Sequence, residues 1–145
     1  MRGVVFLAKF RLGDGRFDPG LWAVFEGEGL VHIEEGLRGS VRYRRFKAPG
    51  RRHHGKVTGE RIGLAISKER FVVYCRSGST KLIDAPFSDP RLGILDVSVE
   101  GNDTVSLRLD YDRAGVPKVS GEIRIVVRTS NAATIVEQLQ ARLRR

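Results

Sequence analysis

Between Arg42 and Lys56 the chain carries Arg42, Arg44, Arg45, Lys47, Arg51, Arg52 and Lys56, seven of its 26 Lys and Arg residues and none of its 17 Asp and Glu. Against a formal net charge of +9, this short stretch holds most of the excess. Charge concentrated in this way creates a local potential that attracts anions, whereas evenly spread charge mainly keeps a protein soluble. Arginine also has the geometry for the task, because its planar fork makes paired hydrogen bonds to phosphate or carboxylate. Each cation near an anionic membrane surface adds about 1 kcal/mol of attraction. His53 and His54 interrupt the run and add charge below about pH 6.5. The candidate anion-binding set is therefore Arg42, Arg44, Arg45, Lys47, Arg51, Arg52, His53, His54 and Lys56. The competing reading is a solvated hairpin tip whose charges pair with the Glu34-Glu35 or Asp110/Asp112 clusters.

Other chemistry has less support. Tyr43 and Phe46 alternate with arginines, as a base-stacking surface requires, and stacking contributes roughly 1 to 3 kcal/mol per base. Nucleic acid is thus the rival anion, although Tyr43 has the parity of an inward-facing residue. Adjacent histidines on extended chain point to opposite sides, and no Cys, Asp or Glu stands at ligand spacing beside them, so no metal is expected. Glu34 and Glu35 face apart, Asp110 and Asp112 share a wet face, and neither pair has a nucleophile or base in its motif. No phosphate-cradling loop, dinucleotide fingerprint or nucleophile elbow is present. The reading is a non-enzyme without cofactors. Cys75, the single cysteine, lies in the apolar run 71–75 and is expected to be a buried small hydrophobe.

The elements that must hold the basic run are mostly short strands. At 145 residues the chain reads as a single domain, 1–145, with a core of its own. Residues 4–12 alternate as a first strand, with Lys9 and Arg11 opposite an apolar face. Turn residues at 13–15 and 18–20 lead into a strand at 21–25, and 27–29 reverses the chain into a strand at 30–34. Residues 40–46 read as a fourth strand with Val41 and Tyr43 inward and Arg42 and Arg44 outward. Residues 51–55, without an apolar member, read as an exposed loop. A hairpin at 61–66 and 71–75 follows, turned by Ser67-Lys68-Glu69. Pro86 and Pro90 make 84–92 a connection. Strands at 94–99 and 104–111 form another hairpin, with a last strand at 122–128. From Ser130 the period changes to helical, with Ser130 or Asn131 as N-cap and Ala132, Ile135, Val136, Leu139 and Leu143 in one stripe.

No stretch approaches the ~20 apolar residues needed to cross a bilayer, and the apolar start is too short for a secretory signal. Residues 59–74, Gly-Glu-Arg-Ile-Gly-Leu-Ala-Ile-Ser-Lys-Glu-Arg-Phe-Val-Val-Tyr, together with the last strand and helix, resemble the bacterial pleckstrin-homology-like and GRAM-like domains. The shared pattern is a glycine, an apolar strand, a hydroxyl residue, two polar residues, then arginine and a second apolar strand. The resemblance implies a mainly β fold, an antiparallel barrel or sandwich of seven to nine strands with one C-terminal capping helix. Together with the basic run, the reading is a cytoplasmic, non-catalytic binding module that attaches peripherally to an anionic lipid surface or an acidic protein through residues 42–56. Nonspecific nucleic-acid binding through the same patch, or a scaffold that offers a sheet edge to a peptide or to a second copy of itself, are the alternatives.

Overall fold

The structure, a computed structural model, describes residues 15–55, 57–75 and 80–143. The strand expected at 4–12 and the basic residue Lys56 lie outside the described residues. Among the described residues the chain is mainly β, with eight strands in one antiparallel sheet. It groups into two compact units, one containing the chain up to Arg38 together with Glu60–Phe87, the other Gly39–Gly59 and the chain from Ser88 onward.

The first unit contains a helix, α1 (Pro19–Gly27), where the apolar run 21–25 reads as a strand in the sequence. Its first turn explains the difference. The Asp18 carboxylate accepts a hydrogen bond from the Leu21 N–H at 3.0 Å, and Pro19 follows as a residue whose fixed φ suits the first helical position. A five-residue apolar run cannot by itself separate strand from helix, so the cap decides. Strand β1 (Leu30–Ala48) follows without interruption, joining the two strands expected at 30–34 and 40–46. Gly36, between those two expected strands, bends the strand at φ 67° and donates its N–H to the Gly15 carbonyl at 3.1 Å.

Beside the first half of β1 lie β3 (Val57–Ser67), β4 (Arg70–Cys75) and β5 (Thr80–Pro86), in that order. The β3/β4 hairpin falls where the sequence placed it, with Leu64 opposite Val73 and Ile66 opposite Phe71. Both of its faces are buried, Cys75 among them. Phe17, Phe25, Ala65, Val72 and Tyr74 form one core cluster, with Leu21, Trp22, Leu30 and Ile33 packed on it. Pro86 ends β5 at an edge, where a missing N–H costs no ladder bond, so 84–86 is strand and not connection.

In the second unit the other half of β1 pairs with β8 (Ser120–Arg128), β8 with β7 (Thr104–Asp110), and β7 with β6 (Leu95–Glu100), all antiparallel. Val41, Ile125 and Leu107 stand in one register row and are all buried. A short helix, α2 (Tyr111–Ala114), replaces the expected end of the strand at Tyr111, because the Asp110 carboxylate accepts from the Asp112 and Arg113 N–H groups and starts a turn. The terminal helix, α3 (Ala132–Leu143), buries Ala132, Ile135, Val136 and Leu139 and packs on β6 and β7. Gln140 donates to the Val97 carbonyl at 3.0 Å.

Candidate anion-binding hairpin

Strand alternation places Val41 and Tyr43 in the core and turns Arg42 and Arg44 to solvent. Continued without change, that alternation would bury Arg45 and expose Phe46. The register against β8 slips between Arg44 and Lys47 instead, with Arg45 in a left-handed conformation at φ 48°. This is a β-bulge, in which one extra residue restores the apolar parity. Phe46 is buried at 4% exposure, and Arg44 and Arg45 both stay outside. Opposite, Gly121 at φ 88° makes room: a Cβ there would collide with the carbonyl of Arg45 and the Cα of Phe46. The Gly121 N–H donates to the Asp112 carboxylate at 2.9 Å, which anchors this part of β8.

Past the bulge, residues 51–53 are not a loop. They form β2 (Arg51–His53), which folds back on β1 with Phe46 opposite His53, Lys47 opposite Arg52 and Ala48 opposite Arg51. Polar chain forms a strand here because β1 supplies its ladder and the Phe46 ring supplies its packing. The His53 ring is nearly parallel to Phe46, at 8° and 6.4 Å, and lies 4.8 Å from the Tyr43 ring. The Arg51 guanidinium sits 5.5 Å above the Phe46 centroid. His54 Nδ1 accepts the Arg45 N–H at 3.1 Å, and the Gly55 N–H donates to the Tyr43 carbonyl at 3.0 Å. Both histidines therefore hold the hairpin's shape.

The run divides by face. Lys47 opposes Arg52 on one side and Ser120 of β8 on the other, so Arg52, Lys47 and Ser120 make one row on the solvent face, along the same strand as Arg44 and Arg42. Arg51 and His53 occupy the opposite face with Phe46. Tyr43 and Phe46 are too deeply buried, at 9% and 4% exposure, to stack on bases.

The acids suggested as internal partners are engaged elsewhere. Glu34 pairs with His32 at 2.6 Å, while Glu35 accepts from the Phe17 N–H at 2.6 Å and the Trp22 indole at 3.2 Å. Asp110 and Glu122 each lie 3.5 Å from the Arg108 guanidinium, and among the described residues no ion pair joins Glu122 to Arg44, its register partner. Arg124, opposite Arg42, is paired with Glu100. Among the described residues no ion pair joins an acid to Arg42, Arg44, Arg45, Lys47, Arg51 or Arg52.

Sequence reasoning missed Lys118. It lines a depression of about 470 Å³ together with Lys47, Ala48, Pro49, Val119 and Ser120. No spacing rule links it to a run some seventy residues earlier; only the pairing of β1 with β8 brings Lys47 next to Ser120. Among the described residues no group of three metal-ligating side chains converges, and no helix is long and apolar enough to cross a membrane. In comparisons with known proteins the chain matches no family model and no curated sequence.

Proposed function

We propose that this protein is a non-catalytic binding module that docks on an anionic partner, an acidic lipid surface or an acidic protein, through the hairpin formed by the end of β1 and β2. One observation carries the reading: Arg42, Arg44, Lys47 and Arg52 share a solvent-facing side, and no acid among the described residues is paired with them. Cations built into a hydrogen-bonded ladder keep their spacing, so less side-chain and backbone freedom is lost on contact with an anion than from a loop. With each cation contributing about 1 kcal/mol near an anionic surface, four give a weak, salt-sensitive anchor. The buried Tyr43 and Phe46 rings favour this over single-stranded nucleic acid, which would need their faces.

The test is sedimentation with anionic and neutral vesicles, and with a duplex oligonucleotide, over a salt series. The protein is expected to bind anionic vesicles alone among the lipids, with affinity falling as salt rises, and Arg44→Glu/Arg52→Glu is expected to abolish that binding. No binding to anionic vesicles together with a DNA salt slope of about −4.5, the value for about five phosphate contacts, would replace the reading with nucleic acid. Binding indifferent to the double reversal would leave the hairpin without a role.

A further inference from the structure

Among the described residues two non-glycine residues have left-handed backbone, Arg45 at φ 48° and Lys118 at φ 65°. Both are cations, and both stand near the far end of the β1/β8 pairing. The bulge accounts for Arg45. Lys118 is different: the Val119 N–H donates to the Val116 carbonyl at 3.3 Å, closing a turn with Pro117 and Lys118 at its centre. Proline followed by a positive-φ residue is the type II pattern, whose third position normally takes glycine. A lysine there holds a conformation that disfavours side chains, and such strain collects where a side chain is needed for function. Its neighbours show what it faces. Lys47 and Ser120, register partners, line the same depression, together with the apolar Ala48, Pro49 and Val119. Neither lysine forms an ion pair among the described residues.

We propose that Lys47, Lys118 and Ser120 form a subsite for a phosphate monoester. This rests on the anionic-surface reading above and specifies the headgroup chemistry. Two ammonium groups and a hydroxyl match a monoester, which carries close to two negative charges and three accepting oxygens at neutral pH. A phosphodiester offers a single charge and fewer free oxygens.

The experiment compares phosphatidylcholine vesicles containing phosphatidic acid with vesicles containing phosphatidylserine at matched surface charge, and adds a titration with glycerol 3-phosphate. The phosphatidic acid vesicles are expected to bind about tenfold more tightly. Lys118→Gly suits the turn's backbone, so its denaturation midpoint should be unchanged or higher while the preference falls below about twofold. Ser120→Ala should weaken the preference in the same direction. Binding to phosphatidylserine should stay within about threefold in both variants, since the arginines of the hairpin supply it. Saturable glycerol 3-phosphate binding lost in Lys118→Gly would support the subsite and make a free monoester sufficient. Preference confined to vesicles and lost in the same variant would support it with the lipid headgroup as source. Equal affinity for the two vesicle types, or a preference that survives Lys118→Gly, overturns the subsite and leaves the hairpin reading standing. Failure to bind either vesicle overturns the subsite together with the lipid-surface form of the hairpin reading.

Discussion

Arg70 opens β4 with its guanidinium 2.8 Å from Glu28 and 3.3 Å from Asp84. Arg52, also in the returning strand of a hairpin, has no acid within ion-pair reach among the described residues. The turn before Arg70 is equally well supplied: the fully buried Ser67 hydroxyl donates to Glu28 at 3.0 Å and accepts the Glu69 and Arg70 N–H groups at 3.1 and 3.0 Å. In the first unit, charge is spent on fixing α1 to a hairpin. In the second, the hairpin is fixed by a bulge, an aromatic stack and a ladder, and its charge remains available. An ion-paired arginine at the first hairpin and, among the described residues, arginines without an acid partner at the second are what separates a structural network from a candidate contact surface.

The largest effect that would break this comparison lies at Gly121. Gly121→Ala places a methyl group against the Arg45 backbone at a left-handed φ, combining overpacking with strain. A loss of roughly 3 kcal/mol in urea denaturation is expected, accompanied by loss of vesicle binding because Arg44 and Arg45 no longer project together. A silent Gly121→Ala would mean the bulge does not position the charge. Next comes Ser67→Ala, which leaves two backbone donors and a carboxylate oxygen without their partner. It should cost about 2 kcal/mol and leave vesicle binding unchanged. A third test is carried by the faces of one strand. Arg52→Glu should reduce anionic vesicle binding by about tenfold or more at a stability change within about 0.5 kcal/mol. Arg51→Glu should instead cost about 0.5 to 1 kcal/mol of stability through the Phe46 contact, with the smaller effect on binding. Equal binding losses would show that the two faces act as one surface.

How far the sequence could lead is clear from particular residues. Periodicity found the 61–66 part of β3, most of β6, β7 and β8, and the stripe of α3, while a continuous apolar run marked β4. It also read the turn at Ser67 and the arginine that starts the return strand. It misread 21–25, where the deciding signal was the cap at Asp18 and not the apolar run. It read β1 as two strands, 30–34 and 40–46, because the glycines between them can mark either a bend or a break, and here the chain only bends. The charge of 42–56 was legible by counting. Its division into two faces was not, because a single bulge inverts parity and its cause, Gly121, lies in another strand. Lys118 was beyond reach for the same reason: long-range pairing is invisible to a local window.

The finest test of the comparison uses its tyrosines. Burial pushes the Tyr74 hydroxyl above the ordinary tyrosine range, and the Asp84 carboxylate beside it, 3.3 Å away, pushes it further, with Arg70 opposing. Burial also raises Tyr111, but there the charged neighbours, Arg91 and Arg51, pull the other way. A group whose folded pKa exceeds its unfolded one contributes fully below the unfolded value, about pH 10, and that contribution is lost as pH rises through the folded value. Ultraviolet titration of tyrosinate should therefore show both groups ionising late, and stability falling only above about pH 10. Asp84→Asn should bring Tyr74 down, since it removes a negative neighbour, whereas Arg51→Ala should move Tyr111 up, since it removes a positive one. Shifts of the same sign in the two variants would mean that the charge around these rings does not differ between the two units in the way the ion pairs imply.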